Sequence, residues 1–128
     1  MNSSRRGIED IRGSFRSLIV WQRAVELSLA VYKATARFPS SEKLGLTSQL
    51  RRAAVSVASN IAEGYGRSTK GEYILFLGHA YGSNCELQTQ LVIANALEMG
   101  SDDTMERATD LSNEAGRMLV VMMSELRK

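Results

Sequence analysis

The stretch Leu46-Thr47-Ser48-Gln49-Leu50-Arg51-Arg52-Ala53-Ala54-Val55-Ser56-Val57-Ala58-Ser59-Asn60-Ile61-Ala62-Glu63-Gly64 decides the reading of this chain. Leu46, Leu50, Ala53, Val57 and Ile61 recur at steps of three or four, with Ala54 adjacent, and so form the apolar face of a helix. Thr47 reads as its N-cap, and Gly64 and Gly66 stop it. Small residues dominate (Ala53, Ala54, Ser56, Ala58, Ser59, Ala62), which lets helix axes approach closely. A second, polar stripe of Gln49, Arg52, Ser56, Asn60 and Glu63 falls within an arc of roughly 80° at 100° per residue. A polar stripe so narrow, beside an apolar one, describes a helix with polar as well as apolar packing.

Three more helices lie outward from this one. The first spans about Leu18 to Arg37, on a stripe of Trp21, Val25, Ser28, Tyr32 and Thr35 with Ala24 and Val31 beside it. Phe38-Pro39 ends it, because the residue before proline is pushed out of the helical region. The third starts at Thr69-x-x-Glu72, a capping-box pattern, and runs to about Glu98. It carries two apolar stripes. One is Tyr73, Phe76, Leu77, Ala80, Leu87, Leu91 and Ala94; the other is Ile74, Tyr81, Cys85 and Val92, rotated by roughly 90°. The second stripe reads either as a subunit contact or as a widened core face. Gly100 and Ser101 close this helix and cap the fourth, whose first turn holds Asp102 and Asp103. Met105, Ala108, Ser112, Ala115, Leu119, Met122 and Leu126 make its seam. Short connections force sequential helices to be antiparallel neighbours, so the expected fold is all-α, an up-down-up-down four-helix bundle over residues 17–128. Residues 1–16, with Arg5, Arg6, Arg12 and Arg16 interrupted by Gly7 and Gly13, read as a mobile basic tail.

Composition bounds the function. The 128 residues, 44% hydrophobic and 23% charged, make one globular domain. One cysteine, Cys85, excludes an internal disulfide and a four-cysteine zinc site. No apolar run approaches ~20 residues, and the N-terminus has no apolar signal core, so a cytoplasmic protein away from the membrane is the default. The net charge of +2 hides an asymmetry. Residues 1–70 hold 12 Lys and Arg against 5 Asp and Glu, a net +7, and residues 71–128 hold 4 against 9, a net −5. Either the two halves match each other or a basic surface faces an anionic partner.

No active site emerges. His79 is the only histidine and has no metal-ligand companions. Cys85 sits on an apolar stripe without a cationic neighbour to activate it, as a buried-type thiol. The Glu-x-x-His pairs of di-metal bundles are absent, so neither a metal nor another cofactor is expected. Gly64-Tyr65-Gly66-Arg67-Ser68-Thr69-Lys70-Gly71 is basic and precedes a helix N-terminus, but it lacks the order of a nucleotide-binding loop. It reads as a cap, a turn and a cap, or as a phosphate-backbone contact through Arg67 and Lys70. Helical geometry separates Arg51 from Arg52. In an antiparallel pair, Arg52 comes level with about residue 83, so Arg52 is expected to pair with Glu86. Gln49, Ser56, Asn60 and Glu63 then complete a partly buried network. Arg51 points elsewhere and is the better contact for an external partner.

These residues resemble a known family: the bacterial four-helix-bundle proteins encoded by intervening sequences in 23S (large-subunit) ribosomal RNA genes, together with their free-standing relatives. The resemblance lies in Val20-Trp21-Gln22-x-Ala24, Phe38-Pro39-x-x-Glu42, Gly45 through Ser56, Asn60-Ile61-Ala62-Glu63-Gly64-x-Gly66-Arg67, Gly82-Ser83 and Glu86-Leu87. It extends from about residue 15 to 126. Ala58 departs from it, where the family often has proline, and so does the Arg-rich start. The resemblance implies a ring-shaped homopentamer and brings no established enzymatic activity. A fold-level group of relatives serves as accessory factors of diversity-generating retroelements, binding nucleic acid and a reverse transcriptase, which is an analogy only.

Two functions therefore stand. One is a non-enzymatic homo-oligomer that binds DNA or RNA through Arg51, Arg67, Lys70, Arg5, Arg6, Arg12 and Arg16, with Ile74, Tyr81, Cys85 and Val92 at the subunit contact. The other is a protein–protein scaffold or accessory factor that docks a nucleic-acid-processing protein without touching nucleic acid.

Overall fold

The computed structural model describes residues 14–128. Four helices account for most of them: α1 (Ile19–Thr35), α2 (Leu46–Tyr65), α3 (Lys70–Ala96) and α4 (Asp102–Arg127). Among the described residues there is no strand. α1 packs on α2 and α4, and α3 packs on the same two.

Apolar side chains collect in two clusters. One joins Val20 and Ala24 of α1, Val57 and Ile61 of α2, Leu77 and Ala80 of α3, and Leu119 and Met123 of α4. The other joins Leu27, Val31, Leu50, Ala54, Leu87, Leu91, Met105 and Ala108, with Phe38 from the connection after α1. The first is called the proximal end here, and the second the distal end. Polar pairs also tie neighbouring helices: Ser56 to Ser83 and Gln49 to Gln90 for α2 and α3, Arg23 to Glu114 and Glu26 to Arg107 for α1 and α4.

The expected apolar face of α1 is off by one position. The buried set is Val20, Ala24, Leu27, Val31, Ala34 and Thr35, so of the expected stripe only Thr35 is buried, whereas Tyr32 is exposed and Trp21, Val25 and Ser28 are half-buried. Val20-Ala24-Leu27-Val31-Ala34 keeps the same three-and-four spacing, so periodicity alone admits both stripes, and the fit against α2 and α4 selects one. The expected faces of α2 and α4 are buried except at Leu46, Met122 and Leu126, which are half-buried, and Leu111 and Met123 join the buried face of α4.

The caps differ in three places. Thr47 does not cap α2: it is buried inside the helix, and the Leu46 amide donates to Glu42 Oε1 at 3.0 Å instead. α3 closes at Ala96, before Gly100. Glu98 takes the left-handed conformation (φ 57°), the Glu98 amide donates to Asn95 O and the Met99 amide to Ala94 O, both at 3.0 Å. This is a Schellman closure with glutamate where glycine is usual. At the other boundary, the start of the fold precedes residue 17. Ser14 caps a 3-10 turn over Phe15–Ser17, Phe15 meets Trp21 edge-on with ring centroids 5.1 Å apart, and Gln22 Nε2 donates to Arg16 O at 2.7 Å. Thr69 and Ser101 cap α3 and α4 as expected.

Candidate functional site

The candidate nucleic-acid contacts do not form one patch. Arg51 lies toward the start of α2, and Arg67 and Lys70 lie just beyond its end. The 14 residue steps from Arg51 to Tyr65 alone span about 20 Å of helix axis. Arg51 is also committed within the fold. Its Nε donates to Thr35 Oγ1 at 2.8 Å, and its guanidinium sits 4.5 Å from the centroid of the Tyr32 ring. This cation–π contact and hydrogen bond fasten α2 to α1, so Arg51 is not the outward-pointing residue expected.

Arg67 is held as well. It pairs with Glu63 at 3.0 Å and Glu72 at 3.2 Å, and lies 4.9 Å from the Phe76 ring centroid. The hydrogen bonds to Glu72 and Glu63 hold the guanidinium protonated, above its already high ordinary pKa. Two carboxylates neutralise it, which leaves little charge for a phosphate. The turn at 64–71 is thus a built structure: Gly64 packs on Tyr73 and Phe76, and the Glu72 amide donates to Thr69 Oγ1 at 3.1 Å. Tyr65 and Tyr73 meet edge-on, and burial raises the Tyr73 pKa, with Tyr65 adding to the shift. Lys70 and Arg16 make no ion pair among the described residues. Arg5, Arg6 and Arg12 lie outside the described residues.

The expected polar network forms with different members. Arg52 and Glu86 are both exposed and make no ion pair within 4.0 Å, although they line one groove with Gln49, Ser56 and Gln90. Two long, hydrated side chains gain little by pairing in water. The helix-to-helix bonds come from shorter groups: Ser56 Oγ to Ser83 Oγ at 2.8 Å, supported by Asn60 Nδ2 donating to Ser56 Oγ at 3.0 Å. Glu63 turns away to Arg67.

Sequence reasoning missed the deepest polar pair. Asn84 and Ser112 are buried between α3 and α4 and bond each other. Their signal was present, since Asn84 falls on the Leu77-Ala80-Leu87-Leu91 register where an apolar residue would otherwise stand. The second α3 stripe is open: Val92 is 68% exposed, Tyr81 and Cys85 are exposed, and Ile74 is half-buried. Cys85 is therefore not the buried thiol expected. His79 packs edge-on against Phe76. Among the described residues, no group of three or more His, Cys, Asp or Glu could hold a metal ion. Among the same residues, no helix is long and apolar enough to cross a membrane.

The unpaired charges are segregated. Among the described residues at the proximal end, the carboxylates Glu63, Glu72 and Glu125 are all in ion pairs, whereas Arg16, Lys70, Arg117 and Arg127 are not. Among the described residues at the distal end, Lys33, Arg37, Lys43 and Arg52 of α1, α2 and their connection make no ion pair, and the one carboxylate of that connection, Glu42, accepts from the Leu46 amide. Glu98, Asp102, Asp103, Glu106 and Asp110, after α3 and along α4, make none either.

These features define a class: a four-helix bundle whose buried polar groups serve packing and whose free charge lies in separate patches. The model of the 23S rRNA-intervening sequence protein family matches residues 16–121, and the chain belongs to that family. It is similar to a protein of unknown function from the S23 ribosomal protein family of Bacteroides thetaiotaomicron. Their structures align with a TM-score of 0.73 at 18% identity, over 82% of this chain and 98% of that one. That likeness concerns the fold. Comparison with curated proteins gives no match.

Proposed function

We propose that this chain is a non-enzymatic, self-associating four-helix bundle of up-down-up-down course that binds nucleic acid at its proximal end. The two-cluster core and the polar pairs between neighbouring helices support the antiparallel course. The observation that carries nucleic-acid binding is the proximal charge. Arg16, Lys70, Arg117 and Arg127 are free of ion pairs among the described residues, while the carboxylates around them are occupied. The segment holding Arg5, Arg6 and Arg12 joins the fold at the same end, through the turn at Phe15. Phosphate binding by such side chains releases counterions and is therefore steeply salt-dependent. Self-association into a ring, a pentamer by the family resemblance, would repeat these charges on one face and strengthen the field. Arg51 is a structural residue in this reading, and the family's name, with its reference to 23S rRNA, is consistent with an RNA-side role.

Fluorescence polarisation with mixed DNA and RNA oligonucleotides, titrated across salt, tests it. Binding should weaken steeply with salt and fall in an Arg16→Ala/Lys70→Ala/Arg127→Ala variant, whereas Arg51→Ala should leave it unchanged. Absence of binding at low salt overturns the nucleic-acid reading. The apolar cleft of Leu18, Val20, Met118, Val121 and Met122 between α1 and α4 would then favour the second reading, a protein scaffold.

A further inference from the structure

We propose that copies of this chain join head to tail, the basic α1–α2 face of one docking on the acidic α3–α4 groove of the next. The proposal rests on the self-association proposed above and names its two surfaces. In a bundle where α1 packs on α2 and α4, and α3 on the same two, the α1–α2 and α3–α4 faces lie on opposite sides. Both patches sit at the distal level: Arg51 is bonded to Thr35 on one side, and the acidic groove is floored by Leu91 and Met105 of the distal cluster on the other.

The two faces are complementary in charge and in apolar content. Lys43, Arg51 and Arg52 rim a groove with Tyr32, Leu44 and Val55. Leu44 is 91% exposed, an apolar side chain lining the same groove as Lys43 and Arg52, which make no ion pair among the described residues. Opposite, Asp102, Glu106 and Asp110 rim a groove that presents Val92, Leu91 and Met105. Leu44 is a knob and that groove a hole with the opposite rim charge.

A phosphate backbone is a poorer occupant of the α1–α2 face. It offers nothing apolar to Leu44 or Val55, and Arg51 is already held against Tyr32. A two-fold contact of either patch with itself would set like charges together, which is costly. Patches on opposite faces instead give a heterologous contact, which closes into a ring or runs on as a filament according to its rotation. With both patches at one level, the bundle axes stand side by side, and all proximal ends fall on one face of the assembly.

The test is a charge swap read by light scattering after size exclusion, at low and high salt. The variants are Lys43→Glu/Arg52→Glu and Glu106→Lys/Asp110→Lys, all at exposed positions. The wild-type chain should run as an assembly of several 14.1 kDa subunits, weakened by salt. Each variant alone should shift toward the mass of one chain. A chain carrying all four swaps should reassociate, since each reversed face then meets its reversed counterpart at every interface. Leu44→Ser should also lower the mass, with helical circular dichroism unchanged. If a reversed chain loses its helical signal, Lys43→Ala and Glu106→Gln carry the same comparison, each expected to weaken association by about tenfold. A multi-subunit wild type whose mass the variants leave unchanged, or a four-swap chain that stays dissociated, overturns these surfaces while self-association stands. A wild type of single-chain mass overturns both, and the oligonucleotide titration judges nucleic-acid binding separately.

Discussion

Asn84 on α3 and Ser112 on α4 hold each other by two hydrogen bonds across the buried interior. Asn84 Nδ2 donates to the Ser112 carbonyl at 2.9 Å, and Ser112 Oγ donates to Asn84 Oδ1 at 2.8 Å. Gly116, one turn further along α4, leaves room for the amide: a Cβ there would stand 3.1 Å from Asn84 Nδ2. In a mainly apolar interior, this pair fixes how α3 and α4 meet.

Ser112→Ala should therefore destabilise the chain by about 1–3 kcal/mol, because Asn84 Oδ1 is left buried and unpaired. Adding Asn84→Leu should recover part of the loss, since a buried polar pair replaced as a whole is close to neutral. Urea unfolding of the two single variants and the double variant measures this, and strict additivity would refute the coupling.

Two glycine-to-alanine changes should act in opposite directions. At Gly64 an added Cβ would stand 2.9 Å from Phe76 Cβ and 3.1 Å from Tyr73 Cδ1. Overpacking there costs about 1–3 kcal/mol, more than the ~1 kcal/mol by which alanine betters glycine in a helix. At Gly78, within α3, nothing lies within 4 Å, so the same change should raise stability by about 0.5–1 kcal/mol. Thermal midpoints of the two variants should move to opposite sides of the wild type.

Glu98→Gly should stabilise the chain by about 0.5–1 kcal/mol. A left-handed backbone strains a residue with a Cβ and does not strain glycine, and the Glu98 side chain makes no hydrogen bond or ion pair among the described residues. Glu98→Val should lower stability, because a β-branched residue tolerates that conformation least. Chemical denaturation of the three proteins should rank them Gly, Glu, Val.

Tyr73 gives the chain an alkaline limit. Burial holds its phenol above the ordinary value of about 10. The unfolded chain therefore releases this proton first. The contribution of Tyr73 is complete below the unfolded pKa and is lost as pH rises through the folded one. Tyr73→Phe should flatten the fall in stability above about pH 10 and remove the latest step of a phenolate absorbance titration. An unchanged slope would show that Tyr73 titrates normally.

Much of this was legible along the chain. The α2 face from Leu50 to Ile61 and the caps at Thr69 and Ser101 follow from residue spacing, which local geometry translates directly. The α1 face was not legible, because Ala24, Val25, Leu27, Ser28, Val31 and Tyr32 satisfy two registers a single position apart, and only α2 and α4 choose between them. Nor was the pairing of the charges. Arg67 finds Glu63 and Glu72 within its own turn, whereas Arg52 does not close on Glu86 across the groove, although both separations looked suitable in sequence.

The sequence by itself determined four helices, where each begins, and family membership, because helix periodicity, capping and turn chemistry act over a few neighbouring residues. Tertiary structure alone decided which cations remain free. Arg51 was taken up by Tyr32 and Thr35 of α1, 16 and more residues away, and the surviving charges were sorted onto a basic proximal end and two opposed distal faces. Such sorting depends on distances between helices, and these are set by packing the whole core at once.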